Sequence, residues 1–210
     1  MGRIFTVNPK YYDDNRKLYK HNKFEIEPGI TILIGCNGSG KTTMLYEIAY
    51  QLKKAEVPYV IYDNLKDGGS HGIEQNFYHD NLDMVATMMS SSEGENIVLN
   101  LGDAARKVGY MITHSEGNEK WILFDSIDSG LSIDQVREVK EDLLHMILER
   151  EKDKEIYIVV SANEYEMCVD EKCFNVVDGK YVNIKTYNGY QRQILNTRKY
   201  KDKWCSNCLN

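Results

Sequence analysis

The sequence predicts an α/β fold built on a mainly parallel sheet flanked by helices, because strand-sized apolar runs alternate with stretches of helical periodicity. Three observations carry that expectation. The apolar run 30–34 passes through a glycine-rich loop into a helical pattern. The run 121–124 is continuously apolar and stops at an aspartate, as strands buried on both faces do. Residues 156–160 form a third run of the same kind.

Taken in order, residues 3–8 and 23–27 alternate as strands do, and Glu27-Pro28-Gly29 makes a turn before the run 30–34. From Lys41 the spacing becomes helical, with Met44, Leu45, Ile48, Ala49 and Leu52 on one face. Residues 59–62 read as a buried strand. Residues 63–80 are polar and rich in Gly, Asn and Asp, and read as a loop region. The cluster Ser90-Ser91-Ser92 before Glu93-Gly94-Glu95 reads as a helix N-terminus, followed by Ile97, Leu99, Leu101, Ala104, Ala105 and Val108 at helical spacing. After the strand 121–124, Ser132 and Gln135 fit a capping box that starts a helix with Ile133, Val136, Val139, Leu143 and Met146 facing inward. The strand 156–160 follows.

A chain of 210 residues with 42% hydrophobic and 28% charged residues is long enough to bury a core without staples and is unlike a disordered or fibrous chain. Residues 1–210 are expected to form one domain, with a core over about 25–165 and a basic extension over about 180–210. No apolar run approaches the roughly 20 residues of a membrane span, and the N-terminus lacks a secretory signal, so a cytoplasmic location without membrane attachment is expected. Five cysteines suit a reducing compartment. Cys205 and Cys208 with Cys168 and Cys173 are spaced poorly for a four-thiolate zinc site, and free surface thiols are expected instead. Net charge is −6, yet residues 1–24 hold six basic and two acidic residues, and 180–203 hold seven and one. Such basic ends can meet nucleic-acid phosphates, or simply carry solvated lysines.

The chemistry concentrates in Gly35-Cys36-Asn37-Gly38-Ser39-Gly40-Lys41-Thr42, a P-loop pattern lying between a predicted strand and a predicted helix, with Thr43 next to it. Its glycines let successive backbone N–H groups curl around phosphates, and the following helix adds the field of its positive end. ATP and magnesium are therefore the expected cofactors, with Lys41 on the β- and γ-phosphates and Thr42 on the metal. The run 121–124 delivers Asp125 to the sheet edge, where a P-loop protein needs an acidic partner for magnesium.

Together with Asp125-Ser126-Ile127-Asp128-Ser129-Gly130-Leu131-Ser132, this loop resembles the ATP-binding-cassette (ABC) superfamily, and more closely its soluble branch of RecF and chromosome-maintenance ATPases. The resemblance covers about residues 25–165. It implies an N-terminal antiparallel β portion and a signature loop, which Ser92-Glu93-Gly94-Glu95 resembles. Ser92 and Gly94 of one subunit would then bind the γ-phosphate held by another, making ATP the glue of a head-to-tail homodimer. Only 84 positions separate Lys41 from Asp125, which leaves no room for coiled-coil arms.

Three departures from the family pattern matter. The catalytic glutamate aligns with Ser126, which cannot take a proton from water at neutral pH. The switch histidine aligns with Ala162, beside Asn163. The metal-contacting glutamine has no clear counterpart, although Gln75 is a candidate. Asp128 is either a substitute base or a polar residue at the dimer seam. Tyr11, Tyr12 or Tyr19 would stack on adenine if the family pattern holds. The expected function is a slow, hydrolysis-impaired nucleotide switch working with an unidentified protein partner. The alternatives are an active ATPase driving DNA repair or a nuclease partner, and a P-loop kinase, for which the arginine-free stretch 63–100 supplies no lid.

Overall fold

The computed structural model describes residues 2–8, 17–64 and 93–206. Among them, Arg3–Thr6 (β1) and Lys23–Ile26 (β2) form an antiparallel two-stranded sheet. The main sheet contains Gly29–Ile34 (β3), Tyr59–Asp63 (β4), Glu119–Asp125 (β5), Glu155–Ser161 (β6), Lys172–Asn175 (β7) and Lys180–Val182 (β8). Its strand order is β4-β5-β6-β3-β7-β8, parallel throughout except for the antiparallel pair β7 and β8. This is the α/β architecture with an N-terminal antiparallel hairpin that the sequence predicts. The helices are Lys41–Lys54 (α1), Glu93–His114 (α2), Ile133–Val139 (α3), Met146–Arg150 (α4), Tyr165–Cys168 (α5) and Tyr187–Ser206 (α6).

Strand side chains alternate between two cores because successive residues point to opposite faces. Ile30, Ile32 and Ile34 of β3, Ile122 and Phe124 of β5, and Ile158 and Val160 of β6 join α2 and α3 residues in one core. Leu33, Trp121, Leu123, Tyr157 and Val159 face the other core, made with α1, β1 and β2. There Trp121 stacks on Tyr157 with ring centroids 4.1 Å apart, an arrangement worth about 0.5–1.5 kcal/mol beyond its buried area. On α1 the predicted face, Met44, Leu45, Ile48, Ala49 and Leu52, is buried.

The helix after Ser132 departs from its expected face. Its capping contact is present, with the Ser132 N–H donating to Gln135 Oε1 at 3.0 Å. Val136, Val139 and Leu143 are buried, but Ile133 is 61% exposed and Met146 is 36% exposed. Ile133 is the first residue of α3, and burial begins one turn later. A π-helical turn, Lys140–His145, then inserts an extra residue and advances the inward face by one position. Leu144 thus becomes fully buried, while Ile147 and Leu148 pack where Met146 was expected. Cys168 and Cys173 are free thiols as expected but not surface ones: both are fully buried, Cys173 in β7 beside β3. No helix among the described residues is long and apolar enough to cross a membrane.

The parallel strands bring three chain segments to one edge of the sheet. The glycine-rich loop follows β3, Asp125 ends β5, and Ser161 ends the intervening β6.

Candidate functional site

The loop between β3 and α1 closes on itself through the Ser39 N–H donating to the Cys36 carbonyl at 3.0 Å. Gly40, the residue before α1, has φ +95°, and a Cβ there would lie 2.8 Å from Tyr19 Oη. Only glycine fits that combination of positive φ and close approach. Tyr19 donates to the Gly40 carbonyl at 2.7 Å and is itself 2% exposed, so it props the loop from beneath. That burial argues against Tyr19 as the adenine-stacking ring; Tyr11 and Tyr12 lie outside the described residues.

Lys41 opens α1 and is buried, its Nζ donating to the Gly35 carbonyl at 2.8 Å. Burial pushes the Lys41 ammonium below its ordinary pKa, opposed by the nearby charges of Asp128, Cys36 and Asp125. The next residue, Thr42, donates from Oγ1 to Asp125 Oδ1 at 3.2 Å. Residues 37–43 line a cavity of about 540 Å³, shared with Ser126 and Asn163. Gly35 and Cys36 form the loop's root, where the Cys36 N–H donates to Thr197 Oγ1 at 2.9 Å.

Asp125 is 2% exposed and gathers hydroxyls. Besides Thr42, its Oδ1 accepts from Ser126 Oγ at 3.4 Å and from Ser161 Oγ. The register of β5 against β6 sets Asp125 opposite Ser161. Sequence reasoning gave Ser161 no role, since a small hydroxyl residue ending an apolar strand carries no motif; only strand adjacency reveals it.

Ser126 lines the cavity with φ +56°, a left-handed conformation that is uncommon outside glycine and concentrates at functional sites. Its N–H donates to Ser161 Oγ at 3.0 Å, which holds the backbone in place. The position next to Asp125 therefore faces the cavity but presents a hydroxyl.

Asp128 is 1% exposed and turned elsewhere. Its Oδ2 accepts the backbone N–H groups of Asn163 and Glu164 at 2.6 and 2.7 Å, and burial raises its pKa. Asp128 Oδ1 has no partner among the described residues, and Asp128 is not part of the cavity wall. Ala162 is buried, whereas Asn163 reaches the cavity and its carbonyl accepts from Tyr190 Oη at 2.5 Å. Gly94 is the second residue of α2; Ser92, Gln75 and Cys208 lie outside the described residues, as does the side chain of Cys205.

A β-strand, glycine-rich loop and helix carrying lysine and threonine, with a strand-end aspartate beside them, define an ATPase-type nucleotide-binding domain. The family description "ATPase family associated with various cellular activities (AAA)" matches residues 31–173, and the chain belongs to that family. Among solved structures, the ADP conformation of an ATP-binding cassette of an ABC transporter is similar at 13% identity and TM-score 0.53, with 96% of this chain and 98% of that chain covered. At that identity the similarity concerns the fold. The cbiO1 protein of Clostridium perfringens, part of the ABC transporter complex cbiONQ, aligns over 86% of each chain at 14% identity and TM-score 0.49. No curated protein matches the chain.

Proposed function

We propose that the chain binds ATP with magnesium and acts as a slow, hydrolysis-impaired nucleotide switch of the soluble RecF and chromosome-maintenance type, located in the cytoplasm. The observation that carries this is the contrast around Asp125: Thr42 Oγ1 stands 3.2 Å from its carboxylate, while the neighbouring cavity-facing residue is Ser126. A hydroxyl and a carboxylate side by side are hard oxygen donors suited to a small divalent cation, so Thr42 and Asp125 fit magnesium. When bound, the metal supplies charge neutralisation on the phosphates.

The protein's own groups would divide the remaining work. Backbone N–H groups of residues 37–43 cradle the phosphates, and Lys41 exchanges the Gly35 carbonyl for phosphate oxygen. The buried Ser39 hydroxyl has no partner among the described residues and is a further donor for phosphate. No carboxylate is supplied by Ser126, and Asp128 is held by two backbone amides away from the cavity wall. Proton removal from water is the function this arrangement leaves weakest.

The same proposal includes an ATP-dependent homodimer in which Ser92 and Gly94 of one subunit meet the phosphate held by the other. Calorimetry tests binding: Lys41→Ala should lose ATP affinity while remaining folded, and unchanged affinity would overturn the nucleotide site. Light scattering tests assembly. ATP with magnesium should double the mass of the wild-type chain but not of Ser92→Arg, and a monomer at saturating ATP would remove the dimer from the proposal.

A further inference from the structure

The C-terminal helix α6 reaches the nucleotide loop at two points. Thr197 is 2% exposed and accepts the Cys36 N–H at 2.9 Å, while one turn further Lys201 Nζ donates to the Asn37 carbonyl at 2.9 Å. Positions 197 and 201 lie four apart and so share one helix face. The helix is anchored on both sides of the sheet: Tyr190 and Ile194 pack into one core, and Tyr200 packs against the other. Tyr200 and Lys201 line the same cavity as residues 37–43.

Lys201 approaches the loop at Asn37 and Gly38, both of which line the cavity. A Cβ placed on Gly38 would lie 3.3 Å from Lys201 Nζ. An ammonium has three donors and no acceptor, so the Asn37 carbonyl uses one of them. No carboxylate pairs with Lys201 among the described residues. The arrangement parallels that of Lys41, whose ammonium also rests on a loop carbonyl, that of Gly35. Both carbonyl oxygens stand where an anionic oxygen would be a stronger partner for the cation.

We propose that Lys201 is a second phosphate-binding lysine of the site, delivered by α6 rather than by the loop, and that its ligand is the polyphosphate of a nucleoside triphosphate. The proposal rests on the nucleotide-binding function above. Its consequence is that docking of α6 and occupation of the loop by nucleotide support each other, since the Thr197 contact to Cys36 sets the distance at which Lys201 can reach. Thr197 is thus a positioning residue.

Calorimetry of the full chain with ATP and magnesium separates charge from mere contact. Lys201→Gln can still donate to the Asn37 carbonyl but lacks the cation, and should weaken ATP binding roughly tenfold, as loss of a charge-assisted hydrogen bond does. Lys201→Arg should stay within about threefold of the wild type. Lys199→Gln, the same charge change at an exposed position of the helix, should leave affinity unchanged. ATP affinity in Lys201→Gln equal to that of the wild type, or an equal loss in the Gln and Arg variants, would overturn the assignment of Lys201 while leaving the loop's own role intact. A wild-type chain that fails to bind ATP, or a Lys41→Ala variant that binds it normally, would overturn both.

Discussion

The two halves of the site differ in how completely they are furnished. The binding half, from Gly35 to Thr43 with Asp125, has its loop propped by Tyr19, its lysine buried, and its threonine against the carboxylate. The half that would activate water has Ser126 at the cavity, Ala162 buried away from the cavity wall, and Asp128 tied to the backbone of Asn163 and Glu164. Under the proposed function, this difference separates holding a triphosphate from cleaving it: among the described residues the first task has its loop, lysine and threonine, while Ser126 brings a hydroxyl and no carboxylate to the cavity.

The largest expected effect breaks the better-furnished half. Lys41→Ala removes a buried cation that would make two charge-assisted hydrogen bonds to phosphate, so ATP affinity measured by calorimetry should fall about a hundred- to ten-thousandfold. The fold should survive, because Lys41 contacts the loop and not the apolar core.

Next in size is an attempt to furnish the poorer half. General-base catalysis contributes about a hundred- to ten-thousandfold, so Ser126→Glu should raise phosphate release by up to about a hundredfold, with Ala162 limiting the gain. Unchanged turnover in a variant that still binds ATP would show that the missing carboxylate is not what limits the reaction.

A smaller effect separates the two roles of Asp128. Asp128→Ala leaves two backbone donors without their acceptor and should cost about 2–4 kcal/mol in denaturant unfolding, whereas Asp128→Asn should lower residual turnover little. Because burial raises this carboxyl above its ordinary 3.8, its protonated form is favoured by folding. That contribution is fully present below 3.8 and is lost as pH rises through the raised value, and Asp128→Asn should flatten this part of the stability profile. A collapse of turnover in Asp128→Asn would make Asp128 the base after all.

The loop itself was legible because its chemistry is written in contiguous residues: glycines for the backbone path, then lysine and threonine on the first turn of α1. Asp125 was legible for the same reason, an apolar strand ending in a carboxylate. What escaped the sequence depends on adjacency between distant segments. Ser161 matters only because β6 lies between β3 and β5, and Tyr19 only because its ring fits the space that Gly40 leaves. Thr197 and Lys201 sit in a lysine-rich helix whose composition suggests plain solvation, and nothing local marks which lysine meets the loop. Met146 was misplaced because a π-helical turn shifts the helical phase, which a fixed 3.6-residue period cannot anticipate.

A milder perturbation reads the binding half through pH. Burial lowers the Lys41 pKa, so the free protein loses this proton below the ordinary 10.5, and phosphate would restore it. ATP affinity should therefore fall as pH rises through the lowered value, and level off once the bound form also deprotonates. Lys41→Arg, which stays charged throughout, should show no such fall at whatever affinity it retains.

The contrast between the two halves is tested most directly by steady-state phosphate release from the wild-type chain at saturating ATP and magnesium, with binding confirmed by calorimetry in the same buffer. The account predicts tight binding with turnover slower than about one per hundred seconds, well under the usual enzyme range of about 1–1,000 per second. Turnover near one per second or faster would contradict it, since a site with Ser126 beside Asp125 would then be activating water by another route.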